Sequence, residues 1–171
     1  NMCFLPHEKR LDCLPQEMRI PRKADVLFFV SCIPAYTVPT SVLATARILD
    51  EVGVRWTTLG EDEWCCGYPM LEYGMPKTAK AMMRHNVAAI NEAARSLGVS
   101  KMVTSCPACS AWFKTYPDKS GMPLNVEVLH TTELFYELIR EGKLRFKECN
   151  TTCVYHDACA LGRARGVYEE P

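Results

Sequence analysis

Short apolar runs alternate with longer stretches of helical spacing from residue 26 onward. The stretches between the runs place apolar residues three and four positions apart, as an amphipathic helix does. Strands that alternate with helices form βαβ units, so the chain predicts an α/β fold with a mostly parallel sheet and flanking helices. Four runs have the length of a buried strand: Val26–Val30, Val54–Leu59, Lys101–Ser105 and Val126–Leu129.

Proline, glycine and hydroxyl residues mark where the helices begin and end. The longest helix is expected over about Pro76–Leu97, with a proline at its start and Gly98 after its end. Three further helices are predicted, from Thr40 or Ser41 to Val52, over 108–116, and from Thr131 or Thr132 to Gly142.

Both ends of the chain lack this alternation. Residues 1–24 carry three prolines with no sustained period and are interpreted as an extended arm or linker. Thr152–Tyr155 is expected to begin a fifth strand, which is cut off shortly after Cys159.

Charge and hydropathy exclude several functional classes. The 171 residues include 20 Lys+Arg and 20 Asp+Glu, so no net field attracts nucleic acid. No run approaches the roughly 18 apolar residues of a membrane span, and the first residues lack the features of a secretory signal. We therefore expect a cytoplasmic protein with one core of ordinary size and no nucleic-acid partner.

Cysteine is the residue type that carries the functional signal. The chain has ten cysteines, and five of them fall into three short motifs that follow predicted strands. Because the carboxyl ends of parallel strands meet at one edge of a sheet, three loops would bring five sulfurs together. Clustering in a chain with its own core favours metal ligation in a reducing compartment over disulfides. The motifs are Cys32, Cys65-Cys66-Gly67 and Cys106-Pro107-Ala108-Cys109.

The presence of five cysteines restricts which metal or redox centre the motifs can form. The C-x-x-C motif alone serves zinc, iron–sulfur or dithiol redox chemistry equally well. A structural zinc site takes four ligands and would leave one thiol without a role. A simple redox dithiol needs none of the other three cysteines.

Longer phrases around these cysteines resemble a known family. The chain is similar to the cysteine-rich CCG domain of heterodisulfide reductase catalytic subunits and of iron–sulfur subunits in glycolate, lactate and anaerobic glycerol-3-phosphate oxidation systems. The resemblance covers roughly residues 25–171. It rests on Phe28-Phe29-Val30-Ser31-Cys32, Glu63-Trp64-Cys65-Cys66-Gly67, Val103-Thr104-Ser105-Cys106-Pro107-Ala108-Cys109 and the run from Tyr155 to Arg163.

The resemblance implies a Rossmann-like three-layer domain that binds an iron–sulfur cluster, of the 4Fe-4S type or noncubane. Its implied function is electron transfer to a disulfide or another carrier, within a disulfide-reductase type of oxidoreductase. A ferredoxin-like protein or a flavoprotein is the implied electron donor, and a membrane-bound redox subunit is a further candidate partner. The implied cluster ligands are Cys32, Cys65, Cys66, Cys106 and Cys109.

The chain also departs from the family pattern. Residues 25–148 match a first CCG domain, and residues 149–171 match only the start of a second, with Cys159 as its first metal ligand. We therefore expect an excerpt of a larger subunit, in which a second CCG repeat or a partner completes the active site. Whether this chain alone catalyses a reaction stays open, and a zinc- or cluster-binding scaffold without enzymatic activity is the alternative function.

Several remaining residues have less specific interpretations. Cys149, Cys153, His156 and Cys159 have a loose zinc-like spacing, but the favoured interpretation of the first two is small, partly buried cysteines. A proton relay between His156 and Asp157 is disfavoured, because adjacent strand residues point to opposite faces. Cys3 and Cys13 are expected to have no role in the site. Trp64 and Trp112 flank the cysteine motifs and are expected to shield the cysteines from water.

Overall fold

Four short parallel strands form the centre of the structure, a computed structural model that describes residues 7–171. The strands are β1 (Val26–Phe28), β2 (Trp56–Thr57), β3 (Lys101–Thr104) and β4 (Glu127–His130), in the order β2-β1-β3-β4. Val26 lies opposite Trp56 on one side and Lys101 on the other, and Lys101 lies opposite Glu127.

Helices connect every pair of successive strands. Two 3-10 helices, His7–Cys13 and Gly60–Asp62, add short turns. The α-helices are α1 (Gln16–Arg19), α2 (Cys32–Thr37), α3 (Pro39–Glu51), α4 (Tyr68–Glu72), α5 (Pro76–Leu97), α6 (Pro107–Lys119), α7 (Thr131–Arg140) and α8 (Gly162–Arg165).

Alternate residues of the strands face two separate apolar cores. Val26 and Phe28 pack with α3, α7 and the N-terminal segment, whereas Leu27 and Phe29 pack with α5 and α6. Helices therefore cover both faces of the sheet, and the predicted three-layer α/β architecture with a parallel sheet is confirmed.

The helices and strands begin and end at the predicted residues only in part. Helix α5 has the predicted bounds, and Gly98 ends it in the left-handed conformation with φ of 84°. Strand β1 ends at Phe28 and does not reach Val30, because the Val30 N–H donates to the buried carboxylate of Glu63. A side chain distant in sequence thus replaces the ladder partner that the apolar run suggested.

The prediction of an extended N-terminal arm is wrong for residues 7–19. These residues form the first 3-10 helix and α1, and Leu11 and Leu14 are buried in the core beside α3. The prolines and the lack of apolar periodicity gave no sign of these short helices, which are stabilised by packing against the core. Cys13 lies in this segment and is partly buried against the core, while Cys3 lies outside the described residues.

The predicted fifth strand at Thr152–Tyr155 is also wrong. These residues are irregular and exposed, and Val154 has 95% of its surface in contact with solvent. A strand forms only where a neighbouring strand accepts its hydrogen bonds, and none lies beside this stretch in residues 7–171. Within the same residues, none of the helices is both long enough and apolar enough to cross a membrane.

The burial of the N-terminal segment can be tested by truncating Leu14. Its side chain is 1% exposed, so Leu14→Ala should lower the free energy of unfolding by about 2–5 kcal/mol in urea titrations. Ile20→Ala is the matched control, because Ile20 is 63% exposed and its truncation should change stability by no more than about 0.5 kcal/mol. Equal stability of both variants would show that the segment does not belong to the core.

Candidate functional site

Five cysteines lie together at the carboxyl ends of the first three strands. Cys32 begins α2 after β1, Cys65 and Cys66 precede α4 after β2, and Cys106 and Cys109 lie at the start of α6 after β3. The chain crosses to the other side of the sheet between β1 and β3, where the strand order reverses. Ligands of doubly wound sheets bind at this switch point. We call this group the five-cysteine site.

The sulfurs of this site contact one another in a continuous row. The Sγ atoms of Cys32 and Cys65 are 3.9 Å apart, and those of Cys66 and Cys109 are 3.2 Å apart. Cys65 also bonds to Cys66, and Cys106 to Cys109, through their side chains. All five residues are 1–9% exposed and are free thiols.

Hydrogen bonds between the thiols give them different pKa values. Bonds with Cys109 and Cys65 lower the pKa of Cys66 to about 6, and a bond with Cys109 lowers the pKa of Cys106 to about 7. The pKa of Cys109 is raised well above its usual value, because it bonds to both of these thiols and is buried. Negative charge therefore develops first on Cys66 and Cys106.

The other two thiols keep their protons more firmly. The bond to Cys65 and burial raise the pKa of Cys32. The bond from Cys32 lowers the pKa of Cys65, but its bond to Cys66 and its burial outweigh that and raise it to about 12. Binding of a metal at this site must therefore displace protons, as thiolate ligation requires.

A buried glutamate fixes the backbone that leads to Cys32. The Glu63 carboxylate accepts hydrogen bonds from the N–H groups of Val30 and Ser31, each at 2.8 Å. Both oxygens accept and neither donates, an arrangement that suits the ionised form. Because Glu63 lies two residues before Cys65, the same side chain couples the loop after β1 to the loop after β2.

Ser31 is held in a backbone conformation that serine rarely adopts. Its φ of 70° places it outside the favoured regions, at a cost of about 1–3 kcal/mol. The Ser31 hydroxyl shares a hydrogen bond of 2.7 Å with the Thr104 hydroxyl, whose oxygen also accepts from the Cys106 N–H. Thr104 and Glu63 together offset this strain and aim Cys32 and Cys106 at the same region.

The Cys65-Cys66-Gly67 loop is fixed by α5 and α6. Asn86 of α5 accepts from the Trp64 N–H and donates to the Cys65 carbonyl, while Trp112 of α6 donates to the Cys66 carbonyl at 3.1 Å. Gly67 has φ of 88°, and a Cβ at this position would lie 2.7 Å from the Ala79 carbonyl oxygen. Only glycine allows this approach of loop to helix.

A buried arginine also contacts the Glu63 carboxylate. Arg10 comes from the N-terminal 3-10 helix, and its Nη1 lies 3.5 Å from the Glu63 carboxylate. Burial lowers the pKa of Arg10 and raises that of Glu63, and their mutual attraction opposes both shifts. The Cys32 and Cys65 sulfurs also act on the guanidinium, and its pKa is raised overall.

Aromatic side chains lie beside the Cys65-Cys66-Gly67 loop. Trp64 stacks on His85 with ring centroids 3.8 Å apart. Trp112 stacks on Tyr116 at 4.1 Å and meets the edge of Tyr68. These half-buried rings flank the loop that carries Cys65 and Cys66.

The other predicted site residues do not join this group. Cys149, Cys153 and Cys159 are exposed, and Cys149 donates only to the Thr151 hydroxyl. In residues 7–171, no three His, Cys, Asp or Glu side chains surround a common point as a single metal ion requires. The alternative zinc group of Cys149, Cys153, His156 and Cys159 is therefore not assembled. The favoured expectation that Cys149 and Cys153 are partly buried is wrong, because both are exposed. Cys159 acts electrostatically on Tyr68, the residue after Gly67.

Sequence reasoning missed the polar residues that position the cysteines. Asn86 offered a usable signal, because it is polar yet lies on the apolar stripe of α5 between Met83 and Ile90. Thr104 lies in a predicted strand, where threonine is ordinary. Arg10 lies in the segment that was interpreted as an arm, and nothing in the sequence pairs it with Glu63.

The fold and site define an α/β domain with a thiol group at the switch point of a parallel sheet. Comparison with known proteins gives the family: residues 26–114 match the cysteine-rich CCG domain. The chain belongs to this family.

Relatives in the family are redox proteins of greater length. The chain is 36% identical over its whole length to a dihydromethanophenazine:CoB–CoM heterodisulfide reductase subunit of Methanosarcina acetivorans, of which it spans 42%. It is 35% identical over 75% of its length to the EtfAB:quinone oxidoreductase of Syntrophomonas wolfei, spanning 17% of that protein. It is 31% identical over 84% of its length to a fumarate reductase (CoM/CoB) subunit of Methanothermobacter marburgensis, spanning 27%. No solved structure matches the chain.

The close contact at Gly67 gives a prediction with an internal control. Gly67→Ala and Gly74→Ala both place alanine at positive φ, which costs about 1–2 kcal/mol. Only Gly67→Ala also pushes a Cβ against the helix backbone, since Gly74 has no atom within 4 Å of that position. Urea unfolding of the metal-free protein should therefore show a clearly larger loss for Gly67→Ala. Equal losses would contradict the close packing of the loop on α5.

Proposed function

We propose that this chain is an iron–sulfur electron-transfer module of a heterodisulfide-reductase-like oxidoreductase. One observation carries the proposal: five buried thiols from three loops converge at the switch point of the sheet. Membership in the CCG family and the redox names of its relatives support the same function.

The residues present fit an iron–sulfur cluster. Thiolates are the ordinary ligands of such clusters, and the site offers five of them in one buried row. Five thiolates exceed the four that a structural zinc site takes, which favours a centre with several metal atoms. Arg10 Nε and Nη2 have no hydrogen-bond partner in residues 7–171, and such donors suit a neighbouring anionic group.

Cys32, Cys65, Cys66, Cys106 and Cys109 would hold the cluster, of the 4Fe-4S type or noncubane. When bound, such a cluster supplies one-electron transfer at a potential set by charge, hydrogen bonds and solvent exposure. The chain's own part is to fix the five sulfurs through Glu63, Thr104 and Asn86 and to exclude water with Trp64 and Trp112.

Finer parts of the function follow from the family relationship. We infer that residues 149–171 begin a second CCG repeat, with Cys159 as its first ligand, and that a further domain or subunit completes it. A disulfide is the favoured electron acceptor, because the relatives that align over the whole chain are heterodisulfide reductase subunits. A ferredoxin-like protein or a flavoprotein is the inferred donor, in the cytoplasm or on a membrane complex.

Metal analysis under anaerobic conditions tests the proposal. After reconstitution with iron and sulfide, the protein should contain about four iron atoms and four sulfides per chain and show broad visible absorption that dithionite bleaches. Single replacement of Cys65 or of Cys66 by serine should each lower the iron content severalfold, because both thiols belong to one buried row.

Cys153→Ser is the matched control, since Cys153 is an exposed thiol outside the row. It should keep the iron content of the unmodified protein. A protein that binds one zinc ion and no iron, and that tolerates loss of either Cys65 or Cys66, would support the scaffold alternative and contradict the proposal.

A further inference from the structure

We propose that Arg10 is the counter-cation of the five-cysteine site and sets the redox potential of the centre bound there. The inference rests on the proposed iron–sulfur function and adds a residue to it from outside the 26–114 stretch that matches the CCG family.

Arg10 is a buried charge whose hydrogen bonds are largely unmade. The side chain is 1% exposed, and its guanidinium carries donors that cannot be deprotonated in proteins. In residues 7–171, Nε and Nη2 have no partner, and Nη1 has only the long contact of 3.5 Å to Glu63. Buried charges are normally paired and fully hydrogen-bonded, so free donors at this depth indicate an anionic group beside them.

Another buried arginine in the same chain shows what a structural pair looks like. Arg165 bonds to Glu133 through two N–H groups, at 2.7 and 2.9 Å, and also donates to the Ser110 hydroxyl, so that only its Nε lacks a partner in residues 7–171. Arg10 makes no such paired contact with Glu63. The carboxylate of Glu63 is already occupied by the Val30 and Ser31 N–H groups at 2.8 Å. The ion pair with Glu63 therefore leaves Nε and Nη2 of Arg10 without a partner in residues 7–171.

The sulfurs supply the missing negative charge. Besides Glu63, the groups that act on the Arg10 guanidinium include the Cys32 and Cys65 sulfurs, and both become thiolates when they bind metal. The Glu63 oxygen that lies 3.5 Å from Arg10 Nη1 also accepts from the N–H of Ser31, the residue before Cys32, so the guanidinium lies near the Cys32 end of the row. Its donors suit thiolate or sulfide sulfur, and hydrogen bonds to sulfur raise the potential of an iron–sulfur centre.

The sign of the effect follows from electrostatics. Reduction adds negative charge to a site that already carries thiolates. A buried cation stabilises the reduced form more than the oxidised form, because Coulomb interactions are strong at low dielectric. Arg10 therefore raises the potential, and the carboxylate of Glu63 partly offsets it.

Redox titration of the reconstituted 171-residue protein tests the inference. Arg10→Met should shift the midpoint to more negative potential, by at least tenfold in the oxidised-to-reduced ratio, or about 59 mV for a one-electron couple. Arg10→Lys keeps the charge and should stay closer to the unmodified protein. A purely structural role of Arg10 would not let the retained charge of Arg10→Lys restore the midpoint.

Arg19→Met is the matched control, because Arg19 lies in the same segment and donates to Asp12 and to the Leu14 carbonyl. Its midpoint should be unchanged. If Arg10→Met keeps its iron and its midpoint, the inference is overturned while the iron–sulfur function stands. If Arg10→Met does not fold, Arg10→Gln replaces it with the same negative shift expected, and an unchanged midpoint there overturns the inference equally. If the unmodified protein takes up no iron and sulfide, the proposed function and this inference both fail.

Discussion

The hydrogen bonds from Val30 and Ser31 to the Glu63 carboxylate are the contacts on which the site depends. They end β1 two residues earlier than its apolar run allows, turn the chain at Ser31 and fix the start of α2, where Cys32 lies. The same carboxylate belongs to the loop that carries Cys65 and Cys66. One buried side chain therefore sets the spacing between two of the three cysteine-bearing loops, and Thr104 adds the third.

The residues that fix the geometry of the site are therefore also the ones that are energetically costly to bury. A carboxylate and a guanidinium are buried, and a serine is held at positive φ, all within the layer next to the sulfurs. Such groups are costly in a protein core unless the surrounding structure satisfies them. The large apolar cores on both faces of the sheet supply that structure, while the polar layer at the carboxyl edge determines where the thiols lie.

The fold could be predicted from the sequence because it depends on local signals. The alternation of apolar runs and helical stretches predicts the parallel sheet, and Pro76 and Gly98 mark α5. Convergence of the five cysteines follows from strand direction alone. The strand predicted at Thr152–Tyr155 failed because β-branched composition describes a residue's preference and not the presence of a partner strand.

The polar residues that support the site could not be predicted in the same way. Arg10 and Glu63 are 53 positions apart, and only the folded chain brings them together. Leu11 and Leu14 gave no periodic signal because a 3-10 turn followed by four helical residues is too short to show one. Asn86 is the exception, since a polar residue within the apolar stripe of a long helix indicates a buried hydrogen-bond role.

The bidentate pair of Arg165 and Glu133 has a consequence for the exposed segment before it. Leu144 and Leu161 are buried on either side of residues 145–160, and α8 is joined to α7 and α6 through Arg165. The segment is thus a closed loop with both ends attached to the domain. Its thiols Cys149, Cys153 and Cys159 are held at a high effective concentration near the folded surface. A group that binds these thiols does not have to close the loop, because folding has already closed it and lost that entropy.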